Sequence, residues 1–269
     1  MKDTDIFIFS QSVPEIYPKS EEYKLVSIEK LDKPCDIPHI CLSEEPYCHD
    51  ELLKMEHSYS ECARIHTIWK YYPLQKYVGT AHYRRYLEFF DKCPNLDEIF
   101  SKYDVMYQPF DVMWSSIREN YNGCHNIEDL NHCIDIIKRD YPEFSLSADN
   151  ILTSKMLVPC NVFLTTREMF CQWCEFLFGV LGKYDEEMGF KNDLDVYNHV
   201  VNNMDKYCED KGGAPNSLTT YQSRIQAFLS ERISSIFFDK MSKNPYYCDM
   251  VLTNVNYDFE KTYFKQYEK

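Results

Sequence analysis

Short apolar runs alternate with longer amphipathic runs in the early part of the chain, and this alternation limits the folds that the chain can adopt. Residues 5–11 ("DIFIFSQ") are predicted to form a β-strand that ends in small polar residues. Residues 58–72 repeat their apolar side chains at spacings of three and four, which predicts an amphipathic helix that Pro73 ends. Residues 77–81 then predict a second buried strand. A strand, a helix and a strand in succession are typical of an α/β fold.

Similar patterns continue along the rest of the chain, which shows no internal repeat. Further strands are predicted over residues 24–31, 102–110 and 156–166. Further helices are predicted over residues 126–142, 167–188 and 218–241. Prolines predict a loop over residues 32–50, and polar residues predict a mobile segment over residues 189–217. The length suits a single domain over residues 1–269.

The composition fits a globular protein without a glycine-rich phosphate loop. Hydrophobic residues make up 44% of the chain and aromatic residues 16%, which is enough apolar surface to build a core. The chain has only 7 glycines and contains neither G-x-G-x-x-G nor G-x-x-x-x-G-K-[ST]. Its net charge of -14 disfavours nucleic acid as a partner, because surfaces that bind nucleic acid are basic.

The sequence shows no signal for export or membrane insertion. No apolar run reaches the length of a transmembrane helix, and the apolar residues 6–9 are too few for a signal peptide. We therefore expect a soluble cytoplasmic protein whose 12 cysteines are reduced thiols.

A cluster of cationic side chains follows the strand at residues 77–81. The stretch "YVGTAHYRRYL" places His82, Arg84 and Arg85 directly after the small buried residues. Ligand sites of α/β folds lie at the carboxyl ends of the strands, and Ser10 and Gln11 follow another strand of this kind. Arginine guanidinium groups match phosphate oxygens with forked donors. The cluster is therefore a candidate anion site, or else a structural group of salt bridges.

The alternation of side chains in extended backbone divides this cluster. It predicts that His82 and Arg84 share one face of the strand and that Tyr83 and Arg85 share the other. In that arrangement one face binds the anion, while Arg85 anchors an acidic residue beneath.

Charged residues recur near one face of the last predicted helix, in "RIQAFLSER". Arg224, Glu231 and Arg232 lie at helical spacing beside apolar residues that bury the helix. These charges form either an exposed ion pair or the wall of a cleft.

Several acidic residues are further candidates. His125 and Asp129 in "GCHNIEDL" are a possible acid/base or binding pair at a helix start, although an ordinary cap explains them equally well. Glu61 is an acid in the first turn of the predicted helix over residues 58–72. Asp193 and Asp195 form a D-x-D pair that could hold Mg²⁺ or Mn²⁺ on a diphosphate, although chance pairs are expected in so acidic a chain.

Taken together, these elements resemble those of a known family. The chain is similar to bacterial glycosyltransferases of capsular polysaccharide and exopolysaccharide biosynthesis, a family long filed as a domain of unknown function with a "CHYRRYF"-like hallmark. The matching elements, in order, are "SECARIHTIWK", "AHYRRYL", "CHNIEDL", "NVFLTTREMF" with the following "WCEFLF", and "RIQAFLSER". Ala81 and Ala227 replace a cysteine and a glycine that are common in the family.

The resemblance implies a fold, an activity and a layout. The fold is a GT-A-like (Rossmann-type) α/β sheet that binds a nucleotide sugar and is flanked by helices. The activity is transfer of a hexosyl or pentosyl group from a nucleotide-sugar donor to a saccharide acceptor. The layout is a donor-binding half over residues 1–120, an acceptor-side half over residues 121–241 and a tail over residues 242–269.

The resemblance also implies site residues. Glu231 is the candidate catalytic carboxylate that takes the acceptor proton. The expected donor-binding residues are Ser10, Gln11, Glu61, His82, Tyr83, Arg84, Arg85 and Arg232. The expected acceptor-binding residues are His125, Asp129, Asn161 and Arg224. A divalent metal is a possible cofactor that we expect to be dispensable, because cations stand where GT-A enzymes keep an acidic D-x-D.

Two other functions remain open from the sequence. One is a glycosyltransferase that acts on hydroxylated bases of modified DNA, which the net charge disfavours. The other is a module that binds a nucleotide or a sugar without turnover.

Overall fold

The structure is a computed structural model that describes residues 3–87, 95–208 and 219–253. It is a mixed α/β fold with a central sheet flanked by helices, so the predicted fold class is confirmed. None of the helices in these ranges is long and apolar enough to cross a membrane.

The strands form a nine-stranded sheet and a separate two-stranded sheet within the described residues. Their bounds are β1 Thr4–Phe9, β2 Tyr23–Ser27, β3 His39–Cys41, β4 Tyr77–His82, β5 Arg85–Leu87, β6 Val105–Tyr107, β7 Phe110–Asp111, β8 Met156–Leu157, β9 Phe163–Thr166, β10 Tyr246–Tyr247 and β11 Met250–Leu252. The order along the larger sheet is β10-β6-β9-β4-β1-β2-β3, with β5 paired to β4 and β11 paired to β5.

Four neighbouring strands of this sheet, β1 to β4, run parallel to one another. β1 pairs in parallel with β2 and with β4, and β2 pairs in parallel with β3. β9 runs antiparallel to both of its neighbours, β4 and β6. The carboxyl ends of β1 to β4 therefore meet at one edge of the sheet, which we call the carboxyl edge.

The helices are α1 Glu56–Tyr59, α2 Glu61–Tyr71, α3 Leu96–Phe100, α4 Ile117–Cys124, α5 Ile127–Asp140, α6 Ser145–Thr153, α7 Arg167–Met188, α8 Asp193–Asn202, α9 Met204–Cys208, α10 Thr219–Gln222 and α11 Ile225–Met241. Two of them match their predicted bounds closely, because each has a clear N-cap. Asn126 accepts a hydrogen bond from the amide of Glu128 at the start of α5, and Thr166 accepts one from the amide of Met169 at the start of α7.

The sheet separates two hydrophobic cores. All residues of β1 are buried, as expected for a parallel strand covered on both faces. Ile6 and Ile8 face a smaller core, while Phe7 and Phe9 face a larger one, because side chains alternate along a strand. The larger core includes residues of α2, α5, α7 and α11.

Other predicted elements differ from the structure. The helix predicted over residues 58–72 is divided between α1 and α2 at Ser60, whose φ of 52° is not helical. The loop predicted over residues 32–50 contains β3, which pairs with β2. The predicted helix over residues 218–241 is interrupted after α10, and residue 218 lies outside the described residues.

Much of the segment predicted to be mobile forms helices, with α8 over Asp193–Asn202 and α9 over Met204–Cys208. Within residues 189–217, α8 begins after Asn192, whose side chain accepts hydrogen bonds from the amides of Leu194 and Asp195. Val196 and Val200 of α8 are fully buried one turn apart, so this polar segment still packs on the core. Residues 209–217 lie outside the described residues.

Candidate active site

Strand pairing brings the predicted cationic cluster to the carboxyl edge. Phe9, the last residue of β1, pairs with both Val26 of β2 and His82 of β4. Ser10, which follows β1, therefore lies beside the end of β4. Its buried hydroxyl donates to the carbonyl of Ser12 at 2.7 Å and shapes the loop after β1.

A cavity of about 380 Å³ opens at this edge. Its walls come from the loops that follow β1, β2 and β4, and the end of β11 closes one side. The lining residues are Ser12, Val13, Pro14, Glu15, Ile16, Asp32, Lys33, Tyr83, Arg84 and Thr253. The volume falls within the range of sites that bind small molecules.

Arg84 lies on the wall of this cavity. Its guanidinium carbon is 4.7 Å from the centre of the Tyr83 ring, close enough for a cation–π contact. Both residues lie in the turn that joins β4 to β5, where His82 pairs with Arg85. The predicted alternation of faces is wrong here, because residues 83 and 84 form a turn and not extended backbone. Tyr83 and Arg84 consequently share one wall.

His82 is neutral at physiological pH. Burial lowers the pKa of its imidazole to about 3, and the positive charges of Arg85, Arg84 and Arg224 add to the effect. Its Nδ1 atom accepts a hydrogen bond from the amide of Arg84 at 3.2 Å, so the proton of the neutral ring lies on Nε2. His82 can thus donate one hydrogen bond to a ligand but adds no positive charge to the cluster.

Arg85 makes a different contact from Arg84. Its Nη1 atom donates to the sulfur of Cys160 at 3.0 Å. The amide of Cys160 in turn donates to Oε1 of Glu231 at 2.7 Å. Cys160 therefore lies between Arg85 and the acidic residue Glu231.

A strained turn holds Cys160 in this position. Cys160 and Asn161, which precede β9, have φ values of 50° and 52°. This left-handed region is uncommon for residues other than glycine, and such strain clusters at functional sites. The strained backbone and the two contacts of Cys160 together indicate that this turn belongs to a functional site.

Arg232 secures Glu231 from the other side. Its Nη1 atom donates to Oε2 of Glu231 at 2.9 Å, and its Nη2 atom donates to Oδ1 of Asn120 at 2.8 Å. The guanidinium also lies 5.1 Å from the centre of the Tyr121 ring. Because Arg232 is buried among these partners, its charge orients Glu231 and does not reach the cavity at the carboxyl edge.

A second carboxylate lies near Glu231. Glu61 begins α2, directly after Ser60, and the Ser60 hydroxyl accepts a hydrogen bond from Nη2 of Arg224 at 2.8 Å. Burial raises the pKa of Glu61, the negative charge of Glu231 raises it further, and Arg224 opposes the rise. We call Glu61, Glu231 and Arg224 the carboxylate cluster. Arg85 approaches it through Cys160.

Comparison with known families identifies the family to which this chain belongs. The family model described as a domain of unknown function (DUF4422) matches residues 45–204. The chain belongs to the DUF4422 family. The matched region contains Glu61, the turn at residues 82–85 and Cys160, and it ends before Glu231.

A solved structure shares the fold. The apo structure of the bifunctional glycosyltransferase WbbM superimposes with a TM-score of 0.69 at 15% sequence identity. The match covers 96% of this chain and 48% of that chain, so this DUF4422 protein spans about half the length of WbbM. No curated protein gives a match.

Three of the expected acceptor-binding residues lie in the core of the DUF4422 fold. The side chain of Asn161 is fully buried, donates to Ser230 at 3.0 Å and accepts from Ser234 at 2.8 Å. His125 is buried, stacks on Phe228 with ring centres 3.9 Å apart and contacts Gln222. These contacts commit both side chains to packing, so the structure gives no support to their contact with a sugar.

Asp129, the third of these residues, is also held by hydrogen bonds within the core. Its carboxylate accepts hydrogen bonds from the hydroxyls of Tyr184 at 2.8 Å and Tyr207 at 2.6 Å. Burial raises the pKa of Asp129 to about 6. Arg224 is the expected acceptor-binding residue that lies in the carboxylate cluster.

Gln11 lies close to the carboxyl edge without lining the cavity. Its amide nitrogen is 3.2 Å from Oε1 of Glu56, and its oxygen accepts from the amide of Ile28 at 3.3 Å. Glu56 also pairs with the buried Arg64. Gln11 thus connects the loop after β1 to α1, and the structure shows it as a support of that loop.

The D-x-D pair caps backbone and does not line the cavity. Both carboxylate oxygens of Asp193 accept from backbone amides, those of His57 at 3.0 Å and Ser58 at 2.9 Å. Asp195 accepts from the amide of Lys191 at 2.9 Å. Among the residues that the structure describes, the side chains grouped closely enough to share a metal ion are Glu45, Cys48 and His49, which are all exposed.

Two residues of the site carry no signal in the sequence. Cys160 appears in "VPCNVF" as one of many cysteines, and its role follows from its backbone conformation and its contacts with Arg85 and Glu231. Thr253 belongs to the predicted tail, yet its amide donates to the carbonyl of Arg84 at 2.8 Å. β11 also pairs with β5, so the segment over residues 250–253 supports the turn between β4 and β5.

Proposed function

We propose that this chain is a glycosyltransferase that moves a sugar, a hexose or a pentose, from a nucleotide-sugar donor to a saccharide acceptor in glycan synthesis. One observation carries the proposal. At the carboxyl edge, Arg84 lines a cavity of about 380 Å³, while the adjacent Arg85 contacts Cys160, which binds Glu231. Consecutive residues would therefore serve the proposed anion site and the carboxylate cluster. The shared fold with a bifunctional glycosyltransferase supports the same reading.

The donor nucleotide is proposed to occupy the cavity, in a GT-A-like arrangement. Its size suits a nucleoside, and the partly exposed Tyr83 ring offers an aromatic face. The diphosphate would lie beside Arg84, where a guanidinium fork meets phosphate oxygens directly. His82 would add one neutral hydrogen bond from Nε2.

The arginines would act mainly in the transition state. As the bond between the sugar and the diphosphate breaks, negative charge grows on the departing diphosphate. Fixed cations aimed at that charge stabilise the transition state without having to reorganise. Arg84 and Arg85 also repel a divalent cation, which is why we propose that a metal is dispensable for donor binding.

The acceptor would approach from the side of the carboxylate cluster. Its hydroxyl oxygen bonds to the anomeric carbon, the bond from that carbon to the diphosphate breaks, and the diphosphate leaves with the electron pair. The hydroxyl proton passes to a carboxylate acting as general base. Glu231 is the residue that the sequence assigns to this step, and Glu61 is the second carboxylate within the cluster.

Turnover of nucleotide sugars tests this function. UDP-, GDP- and dTDP-linked sugars are incubated with the protein and a panel of mono- and oligosaccharides, and release of the nucleoside diphosphate is measured. We expect release that depends on Arg84 and persists in Arg139→Ala, a control that removes an exposed arginine paired with Asp140 and Glu187. Tight binding of nucleoside diphosphates without turnover of any donor would instead indicate a binding module.

A further inference from the structure

Three side chains of types that commonly bind metal ions meet on the surface segment that follows β3. They are Glu45, Cys48 and His49, and one ligand atom from each lies within 4.8 Å of the other two. The Nε2 atom of His49 is 2.8 Å from Oε2 of Glu45. All three residues are exposed, so an ion can reach them from solvent. We call these three residues the surface cluster.

The backbone beneath the surface cluster is fixed on both sides. The amides of Tyr47 and Cys48 donate to the carbonyl of Glu44 at 2.9 Å and 3.3 Å. The Tyr47 side chain packs against the larger core. Directly after the cluster, the buried carboxylate of Asp50 lies 2.7 Å from Nδ1 of His66. The backbone therefore presents the three ligands close together, and binding an ion needs only rotations of exposed side chains.

Cys48 differs from the other cysteines of this protein. Among the cysteines whose side chains the structure describes, it is the exposed one, while the others are buried or partly buried. Cysteine is among the residue types most often found inside proteins, so packing does not account for an exposed thiol at this position. Cysteines that do not serve packing are retained for their chemistry, and metal binding is one such role.

The donor atoms of the surface cluster favour zinc. A thiolate sulfur, an imidazole nitrogen and a carboxylate oxygen are all ligands of Zn²⁺, whereas Mg²⁺ and Ca²⁺ take oxygen ligands. Around a tetrahedral zinc ion, two such ligand atoms lie about 3.3–3.6 Å apart. The 2.8 Å between His49 and Glu45 has to widen only slightly to admit the ion. A thiolate and a carboxylate together also balance the charge of a divalent cation.

We propose that Glu45, Cys48 and His49 bind a zinc ion, with water as the fourth ligand. The ion would fasten the loop after β3 to the turn that carries Cys48 and His49. Among the described residues, those that line the cavity at the carboxyl edge do not include any of the three ligands. This zinc site is therefore separate from the proposed donor site, and it does not depend on glycosyl transfer.

Cobalt substitution tests the site. Co²⁺ can occupy a zinc site, and a thiolate bound to Co²⁺ gives a charge-transfer absorption in the near ultraviolet. The reduced, metal-free protein is titrated with Co²⁺. We expect a thiolate-to-cobalt band that saturates at one ion per chain, that Zn²⁺ removes by displacing the cobalt, and that an excess of Mg²⁺ leaves unchanged.

Substitutions assign the ligands. Cys48→Ser should remove the band, because the thiolate is its source. His49→Gln and Glu45→Gln should each weaken Zn²⁺ binding by more than the roughly 10–100-fold that groups outside the ligand shell contribute. The matched controls are Cys171→Ser, at a partly buried cysteine of α7, and Glu51→Gln, at another exposed acid. Neither control should change the band or the affinity.

The outcomes decide the proposal without a sugar donor. A band that Cys48→Ser removes and that Cys171→Ser leaves intact supports the site. Absence of a thiolate band in the wild type, or a band that survives in Cys48→Ser, overturns it. Zn²⁺ affinity that neither His49→Gln nor Glu45→Gln lowers overturns it equally. Because none of these readouts involves turnover, failure of the zinc site and failure of the proposed function are distinguishable.

Discussion

The backbone amide of Cys160 donates a hydrogen bond to the carboxylate of Glu231 across 2.7 Å. This contact joins a strained turn before β9 to the middle of α11. Through the sulfur of Cys160 it also reaches Arg85, the first residue of β5. The geometry of the candidate site therefore depends on three segments that are far apart in the sequence.

The first prediction concerns Cys160. Cys160→Ala removes the acceptor of Arg85 while keeping the backbone amide that binds Glu231, so affinity for a nucleoside diphosphate should fall by about two- to tenfold. Cys160→Ser keeps an acceptor of similar size and should stay close to wild type. Titration calorimetry of both variants checks this, and an equal loss in both would show that the contact with Arg85 has no part in binding.

The second prediction concerns His82, whose pKa burial lowers to about 3. Because the ring is neutral, His82→Gln keeps a donor and should weaken nucleoside diphosphate binding far less than Arg84→Ala does. The lowered pKa also means that the unfolded chain binds a proton below about pH 6.5 that the folded chain does not. The wild type should therefore lose stability relative to His82→Gln as the pH falls from 7 to 5. Denaturant unfolding at these two pH values measures the difference, and the opposite trend would mean that His82 is charged in the fold.

The third prediction concerns the buried carboxylates Asp129 and Asp185, both with pKa values that burial raises to about 6. Asp185 binds the hydroxyl of Tyr59 at 2.6 Å and the amide of Gln226 at 2.7 Å. A raised pKa means that the folded chain takes up a proton before the unfolded chain does, so stability is fully present below about pH 4 and is lost as the pH rises through 6.

Each of these two carboxylates should contribute a change of roughly 2–3 kcal/mol in the free energy of unfolding over that interval. The wild type should thus gain stability relative to Asp129→Asn, and relative to Asp185→Asn, between pH 7.5 and pH 4.5. Denaturant unfolding at both pH values tests this. A stability difference that stays constant with pH would show that the carboxylate is ionised in the core throughout.

The fourth prediction concerns Thr253, which follows β11. Thr253→Pro removes the amide that donates to the carbonyl of Arg84, so the turn between β4 and β5 should loosen and nucleoside diphosphate affinity should fall by about tenfold. Thr253→Val keeps the amide and the shape, and it is the matched control. If both variants bind as the wild type does, β11 contributes nothing to the site.

Some of this site could be predicted from the sequence, and physical reasons separate the parts that could from those that could not. The strand ending at His82 is a local pattern, so its position at the carboxyl edge follows from short apolar runs. The direction in which the Arg84 side chain points cannot be predicted from the local sequence, because it depends on where the turn into β5 begins. Asp129 and Asn161 look like ligand-binding residues in the sequence, because nothing near them in the sequence shows that they are hydrogen-bonded in the core. Their partners come from distant segments and are Tyr184, Tyr207, Ser230 and Ser234.

Other parts of the site have no side-chain pattern that a sequence could reveal. Cys160 acts through a left-handed backbone conformation, and Thr253 acts through a backbone amide. Neither of these two roles requires a particular type of side chain, so no sequence motif would reveal them. Glu231 is visible in the sequence as an acid, but its contacts with Cys160 and Arg232 are hydrogen bonds that only the fold creates.

The fifth prediction concerns Arg84, whose loss should remove a charge-assisted hydrogen bond of about 1.5–3 kcal/mol to the diphosphate. Affinity for a nucleoside diphosphate should fall by about tenfold to a hundredfold, while affinity for the nucleoside should not change. Arg84→Lys should restore part of the loss, since a point charge cannot form the forked contact.

The measurement that tests the central claim most directly is calorimetric titration of uridine and guanosine diphosphates, each compared with its nucleoside, with and without EDTA. The account predicts that the wild type and Arg139→Ala bind the diphosphate equally well with or without EDTA, and that Arg84→Ala loses most of the preference for diphosphate over nucleoside. Binding that EDTA abolishes, and that neither Arg84→Ala nor Arg85→Ala disturbs, would contradict the claim that these arginines hold the donor diphosphate.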